Sequence, residues 1–386
     1  MLLRAVPFIL VLWFCGLAPA GALSLFHYNT AGNGTTNWST NAVQVQAIGR
    51  QLQYWQPEVI TLNEIPRTNV WQMANWVTAY LPGYYLATNS GTDGFLRSAI
   101  LSRYPIVRSQ KWLENASLAP FGYTNTASTF TRDLFEAEIA VPGWTQHLHV
   151  FTTHLKATDG SPATDFTNSV QRRAAEAGAV SNFFVTTFLP AYPGRPYVLA
   201  GDMNEDISKP PTIGGQPISG LPIQRLTSTP TGLRLTTPVN PVTGIERTFG
   251  IGTNSNPSSR LDYILPCGLL FSNIANSQVF RTDKLSPMPP NLFTNDSATA
   301  SDHLPVIMSF FNPYDTVFRF TSVTPSNQFL NVSWQTTTGR TYRVESSTNF
   351  TTWTSNSPNL LAATTNLSWS VNRSAARQFL RVYRLP

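Results

Sequence analysis

The chain has 386 residues, of which 42% are hydrophobic and only 12% charged, and its formal net charge is +6. That apolar share supports a packed core and excludes a wholly disordered chain, while the length suits one large domain plus a small one. The positive balance favours an anionic partner, a nucleic acid or a phosphate-bearing lipid surface, over an acidic one.

The first residues, MLLRAVPFILVLWFCGLAPAGA, set Arg4 ahead of an apolar run from Val6 to Leu17, followed by Ala18, Ala20 and Ala22. A basic start, a short apolar stretch and small residues form a secretory signal peptide. Residues 1–22 are therefore expected to be removed, leaving a secreted or extracytoplasmic protein. The run is shorter than the ~20 residues a spanning helix needs. Cys15 leaves with the signal, so Cys267 has no partner for an intramolecular disulfide.

From Leu23 onward, short apolar runs alternate with turn residues. LSLFHYN reads as a first strand, and VQVQAIGRQLQYW (43–55) has the apolar spacing of an amphipathic helix, ended by Pro57. EVITLNEI, SAILSRYPI (98–106), DLFEAEIAV (133–141), HLHVFTTHL (147–155), PYVLAGDMN (196–204), RLDYILP (260–266) and LPVIMSFF (304–311) read as strands. SVQRRAAEAGAVSNFFVTTFL (169–189) reads as a helix ended by Pro190. Residues 207–258 are rich in Pro, Gly, Thr and Ser and are expected to be long loops of the kind that carry function. Strands with a few helices give an α/β body of two packed sheets.

Near Phe311-Asn312-Pro313 the composition changes. VFRFTSV, FLNVSWQ, TYRVESS, FTTWT, LSWSV and FLRVYRL alternate at the period of half-buried strands, so residues 317–386 are expected to form a small β-sandwich. Trp334, Tyr342 and Trp353 are its expected core aromatics.

Polar residues gather at the strand ends. Asn29 closes the first strand, and Glu64 lies near the end of the next. His154 precedes Lys156 in THLKA. Asp202 and Asn204 stand two apart in GDMNE, so on extended chain they face one way. Asp262 lies in RLDYIL, and Asp302 sits beside His303 in SDHLPV. Singly these have ordinary structural readings: a turn former, a core histidine, a buried ion pair. Together, in this order, they are a specific combination.

That order resembles the endonuclease/exonuclease/phosphatase family, the deoxyribonuclease-I-like proteins, over roughly residues 23–312. The resemblance implies a four-layer α/β (α+β) sandwich of two mixed β-sheets flanked by helices, with the polar clusters at one rim. It implies a catalytic domain over 23–312, followed by the C-terminal module. It further implies a metal held by Asn29, Glu64 and Asp302, namely Mg²⁺ with Mn²⁺ as the other candidate. The catalytic residues it implies are His154, Asp202, Asn204, Asp262 and His303, with His303 facing the scissile phosphate and Asp262 orienting it. Arg97 and Lys156 are the expected substrate-binding cations, and Arg132, Arg172 and Arg173 are also expected near the rim or its loops. The C-terminal residues resemble small β-sandwich units that end some exported bacterial proteins. The expected activity is a secreted metal-dependent phosphodiesterase, in first place a nuclease. The alternatives are a sphingomyelinase or phospholipase-C-type enzyme, another phosphatase, and a non-catalytic surface-binding protein. No stable protein partner is implied.

Overall fold

In the computed structural model the described residues are 22–32, 38–66, 70–89, 95–125, 128–158, 163–209, 212–213, 216–217, 221–251, 256–314, 320–349, 351–373 and 378–384. The expected signal segment, Ala22 excepted, lies outside them. The chain divides into two compact units between Pro313 and Tyr314.

The first unit is built on two mixed sheets. Strands β1 (Leu23–Asn29), β2 (Val59–Pro66), β3 (Tyr85–Thr88) and β4 (Leu96–Ser102) form one sheet with two later strands, β12 (Ile274–Val279) and β13 (Val306–Phe310), in the order β12-β13-β1-β2-β4-β3. Strands β5 (Ile106–Trp112), β6 (Leu134–Ile139), β7 (Leu148–His154), β8 (Tyr197–Asp202) and β11 (Asp262–Pro266) form the other, in the order β11-β8-β7-β6-β5. A two-residue hairpin, β9 (Thr212–Ile213) with β10 (Gln216–Pro217), stands apart. β1 runs parallel to β2 and β7 parallel to β8, and the other pairs are antiparallel.

Helices α1 (Val43–Trp55) and α2 (Val70–Tyr80) cover the first sheet, and α3 (Ala163–Phe183) covers the second. The result is the four-layer sandwich. Side chains alternate along each strand, which explains why β1 and β2 are apolar on both faces. Leu23, Leu25 and Val59 join the core shared by the two sheets and α3, while Phe26, Tyr28, Ile60 and Leu62 pack under α1 and α2 with Val45, Ile48, Leu52, Met73 and Trp76. α1 stops at Gln56, whose left-handed backbone (φ 45°) precedes Pro57.

Several elements differ from expectation. Residues 98–106 are not one strand: β4 ends at Ser102, whose hydroxyl accepts the Tyr104 N–H at 2.9 Å, and β5 begins after Pro105. Pro190 does not end the long helix. A π-turn over Phe184–Phe188 follows α3, and Pro190 sits in the last turn, Leu189–Ala191. A π-bulge re-routes the carbonyls ahead of a residue that has no N–H to give. α2, β3 and β12 carry no element in the sequence reading. Among its described residues, the segment 207–258 forms the β9–β10 hairpin and short helical turns at Pro222–Leu226 and Thr229–Thr231.

The C-terminal unit contains two antiparallel sheets. One is β14 (Phe320–Ser326), β15 (Phe329–Gln335) and β19 (Asn366–Asn372); the other joins β16 (Thr341–Ser347) to β17 (Thr354–Ser355), β18 (Leu360–Leu361) and β20 (Phe379–Arg384). Val332, Trp334, Tyr342, Val344, Ala362 and Val371 form one core drawn from both sheets. Trp353 differs from Trp334 and Tyr342. It is only half-buried, and the Arg381 guanidinium lies 4.2 Å from its ring centroid.

Between the sheets of the first unit the apolar layer turns polar at one end. Asn63 donates from Nδ2 to Ser98 Oγ at 3.0 Å and to Thr152 Oγ1 at 3.1 Å, and its Oδ1 accepts the Asp202 N–H at 3.0 Å. One buried amide thus joins β2 and β4 to β7 and β8. An unsatisfied buried polar group costs about 1–3 kcal/mol. Asn63→Leu is expected to lower stability by about 2 kcal/mol, and hence Tm by about 5 °C. Calorimetry of the variant checks this, and an unchanged Tm would refute the amide's structural weight.

Candidate active site

The alternation that buries Leu23 and Leu25 places His27 and Asn29 on the same inter-sheet face. Parallel register sets Asn29 beside Asn63. On the opposing sheet, His154 lies beside Asp202, and Asp202 beside Asp262. Three rim positions are therefore lined up across one sheet edge, facing two on the other. Glu64 reaches the same rim by a bulge: the β2–β4 register shifts between Leu62 and Ile65, and Glu64 takes a left-handed backbone (φ 61°). Gly201 must lack a side chain, because a Cβ there would lie 2.1 Å from the Thr153 carbonyl oxygen.

The side chains meet in a cleft of ≈ 580 Å³. Its lining includes Glu64, His154, Asp202, Asn204, Asp302 and His303, with Phe249 on one wall. Asn29 Nδ2 donates to Asp202 Oδ2 at 2.8 Å and to Glu64 Oε1 at 3.1 Å, while its Oδ1 accepts the Ala31 N–H at 3.0 Å. In this arrangement Asn29 ties two carboxylates together and presents its N–H groups to them. The Asn204 N–H caps Asp202 Oδ1 at 2.8 Å, and Asn204 Nδ2 donates to the Leu155 carbonyl at 3.1 Å. His303 Nδ1 meets Asp262 Oδ2 at 2.7 Å. His303 Nε2 stands 3.8 Å from Asp202 Oδ2 and 4.0 Å from Asp302 Oδ1, too far for a hydrogen bond to either. His154 Nε2 is 3.5 Å from Asp202 Oδ2 and 3.9 Å from Glu64 Oε1. The exposed carboxylate is Asp302, whose side chain is 54% accessible.

These groups ionise in opposed directions. Burial alone would depress His303, but the Asp262 charge and hydrogen bond, helped by Asp202 and Asp302, push it up to about 10. Burial would raise Asp262, yet the two imidazoles of His303 and His27 hold it below the usual carboxylate range. Asp202 is pushed up to about 7, first by burial and then by the neighbouring Asp262 charge, against the pull of His303. Burial, with the Arg132 and His303 charges, drives His154 well below the ordinary imidazole value. The cleft at neutral pH therefore holds one imidazolium, one neutral imidazole and a carboxylate poised to exchange a proton.

The expected cations are placed differently. Arg173 is buried and paired with Glu205, at 3.0 Å from Nε and 2.9 Å from Nη2, so it is a structural ion pair and not a ligand-facing group. Arg132 Nη1 donates to the carbonyls of His154 and Leu155, and Arg172 Nη2 to that of Thr129. Arg97 Nη1 donates to the Asn89 carbonyl at 3.3 Å. Neither Arg97 nor Lys156 is among the described lining residues, although Ala157 and Thr158 are.

Sequence reasoning missed three contributors. Phe249, from the loop-rich segment, lays its ring 4.8 Å from that of His303. Thr248 Oγ1 accepts the N–H groups of Leu261 and Asp262 at 3.1 and 3.2 Å. His27 lies against Asp262. Only His27 carried a readable signal, since it stands two residues before Asn29 on a strand and so shares its face.

The profile of the Endonuclease/Exonuclease/phosphatase family matches residues 26–303. No curated protein sequence matches the chain. Among solved structures, a D. rerio TDP2 humanized by 14 mutations is 18% identical, covering 75% of this chain and 99% of its own, with a TM-score of 0.48. A mannosyl-6-phosphatase of Bacteroides thetaiotaomicron is 18% identical, covering 74% and 98%, also at 0.48. D. rerio TDP2 complexed with a single-strand DNA product is 16% identical, covering 75% and 98%, at 0.48.

The ionisation pattern is open to direct test. In NMR titrations of the metal-free protein, the His303 ring is expected to remain protonated through neutral pH and to titrate near 10. The His154 ring is expected to stay neutral down to well below its ordinary value of about 6.5. An ordinary titration of His303 would contradict the geometry around Asp262.

Proposed function

Because the chain belongs to the endonuclease/exonuclease/phosphatase family, we propose that it is a divalent-cation-dependent phosphodiesterase, exported by its N-terminal segment, whose substrate is a nucleic acid. The observation that carries this reading is the charge of the cleft. Its described lining includes three carboxylates, Glu64, Asp202 and Asp302, and neither lysine nor arginine. Such a surface repels a phosphodiester until a cation offsets it. The donor set suits a hard cation, since carboxylate oxygens are the ligands Mg²⁺ prefers, and the cleft offers no cysteine for a soft metal. Glu64 and Asp302 would hold the cation, with Asn29 fixing the Glu64 carboxylate. What a divalent cation supplies at such a site is neutralisation of charge on the phosphate and on the leaving oxygen.

The chain's own groups divide the remaining work. His303 Nε2–H, which has no hydrogen-bond acceptor among the described residues, is directed to a phosphate oxygen and donates to it as charge builds. Asp262 keeps that imidazole charged and in place. Asp202, with one donor on each oxygen, retains lone pairs to accept a proton from an attacking water, and Asn204 holds the carboxylate at the angle this needs. His154, kept neutral, borders the same space without adding repulsion to His303. The positive net charge of the chain favours an anionic polymer as the substrate.

Purified protein is to be assayed on plasmid DNA, RNA and sphingomyelin liposomes, each with Mg²⁺ and with EDTA. EDTA-sensitive cleavage of a nucleic acid is the expected result. Cleavage of sphingomyelin alone would replace the substrate class, and no cleavage of any would overturn the reading. His303→Ala and Asp202→Ala are each expected to lower kcat about 10²–10⁴-fold while the fold is kept. Activity should rise with pH as Asp202 ionises near 7 and fall as His303 deprotonates near 10. A flat profile across that range would exclude this pair of roles.

A further inference from the structure

Asp262 is held by two imidazoles, one on each oxygen. Oδ2 meets His303 Nδ1 at 2.7 Å, and Oδ1 lies 3.3 Å from His27 Nε2. All three side chains are essentially shut off from solvent. Neither His27 Nε2 nor Asp262 Oδ1 has a well-aligned hydrogen-bond partner among the described residues, and the 3.3 Å between them is an ion-pair approach. Two buried polar atoms that would each be orphaned therefore face one another.

The other ring nitrogen decides what passes between them. His27 Nδ1 is 2.9 Å from Thr61 Oγ1, its register neighbour on β2. With the proton on Nδ1, Nε2 would turn a lone pair toward a carboxylate oxygen in a dry interior, which is repulsive. With the proton on Nε2, the ring donates to Asp262, and Nδ1 accepts the Thr61 hydroxyl proton. Both contacts are favourable only in the second tautomer. The Asp262 carboxylate thus fixes the tautomer of His27, Thr61 satisfies the other ring nitrogen and braces the ring, and the braced ring steadies Asp262 against His303.

We infer that His27 is a positioning residue for the phosphate-facing histidine, acting through Asp262 from the opposite sheet, with Thr61 bracing its ring. By occupying Oδ1, His27 stops the carboxylate from swinging about its terminal bond and leaves Oδ2 aimed at His303 Nδ1. The device spans the two layers: His27 and Thr61 belong to the first sheet, and Asp262 starts an edge strand of the second. The inference rests on the proposed role of His303 for its catalytic meaning, but its geometric content stands apart from any activity.

The test uses the full chain and two readouts: steady-state kinetics, and the low-field NMR signal of the His303 Nδ1 proton in its short bond to Asp262. His27→Leu leaves Oδ1 unpartnered and is expected to lower kcat about 10–100-fold, the usual cost of losing an outer hydrogen-bond partner. KM should stay within about twofold, as expected where only transition-state interactions are lost, and the proton signal should shift or broaden. His27→Gln keeps an N–H donor at similar reach and is expected to restore both readouts. Thr61→Val should move both in the same direction as His27→Leu, by less. Wild-type kcat and an unchanged signal in folded His27→Leu would overturn the inference, and so would a His27→Gln variant as defective as His27→Leu. If His27→Leu does not fold, Thr61→Val decides, and an unchanged proton signal there overturns the inference. A signal that moves in a protein with no turnover on any phosphoester would sink the proposed function and leave the positioning role intact.

Discussion

The Asn63 amide, shared between two sheets, is the contact on which the site depends. Away from the rim the two sheets are joined by apolar surface, which holds them at a distance but does not fix a register. At the polar end that surface gives out. There, Asn63 takes one strand of its own sheet and two of the other into a single set of hydrogen bonds, including the N–H of Asp202. Everything measured in tenths of an ångström at the rim, such as the reach of Asn29 to Asp202 or of His303 to Asp262, presupposes that the layers do not slide.

A second restraint comes from outside the sandwich. Arg173 and Glu176 stand three apart on α3 and so share a face. Arg173 Nη1 donates to the Lys156 carbonyl at 3.0 Å and pairs with Glu205, while Glu176 accepts the Lys156 N–H at 2.7 Å and the Thr131 N–H at 2.8 Å. The loops that leave β7 and β8 are therefore tied to one helix. This explains where much of the basic charge near the rim has gone. It stabilises the loop that follows His154 and the loop that carries Asn204, and the cleft itself is left acidic.

The sequence made the strand ends legible because both faces of these strands are buried. A polar residue at the end of an apolar run is then conspicuous, and Asn29, Glu64, His154, Asp202 and Asp262 all stand out in that way. β12 was illegible for the converse reason: at the edge of its sheet it is polar on both faces. α2 has the spacing of Met73, Trp76 and Val77, but no acid or base marks its ends. Pro190 misled because a π-turn can absorb a proline that an α-helix cannot. The ion pair of Arg173 and the placement of Phe249 depend on contacts between segments far apart in the chain, to which no local pattern corresponds. His27 was legible in principle, by its parity with Asn29, and was hidden by the fact that a strand histidine has an ordinary core reading.

The left-handed backbone at Glu64 has a further consequence. Ala31 and Asn204, which line the same cleft, share it, with φ of 49° and 50°. Such conformations cost a side-chain-bearing residue on the order of 1 kcal/mol that glycine would not pay. At Ala31 the relief would sacrifice only a methyl group. At Glu64 and Asn204 it would remove a polar side chain that lines the cleft. At those two positions the fold forgoes about 1 kcal/mol of stability and in return presents a polar side chain to the cleft.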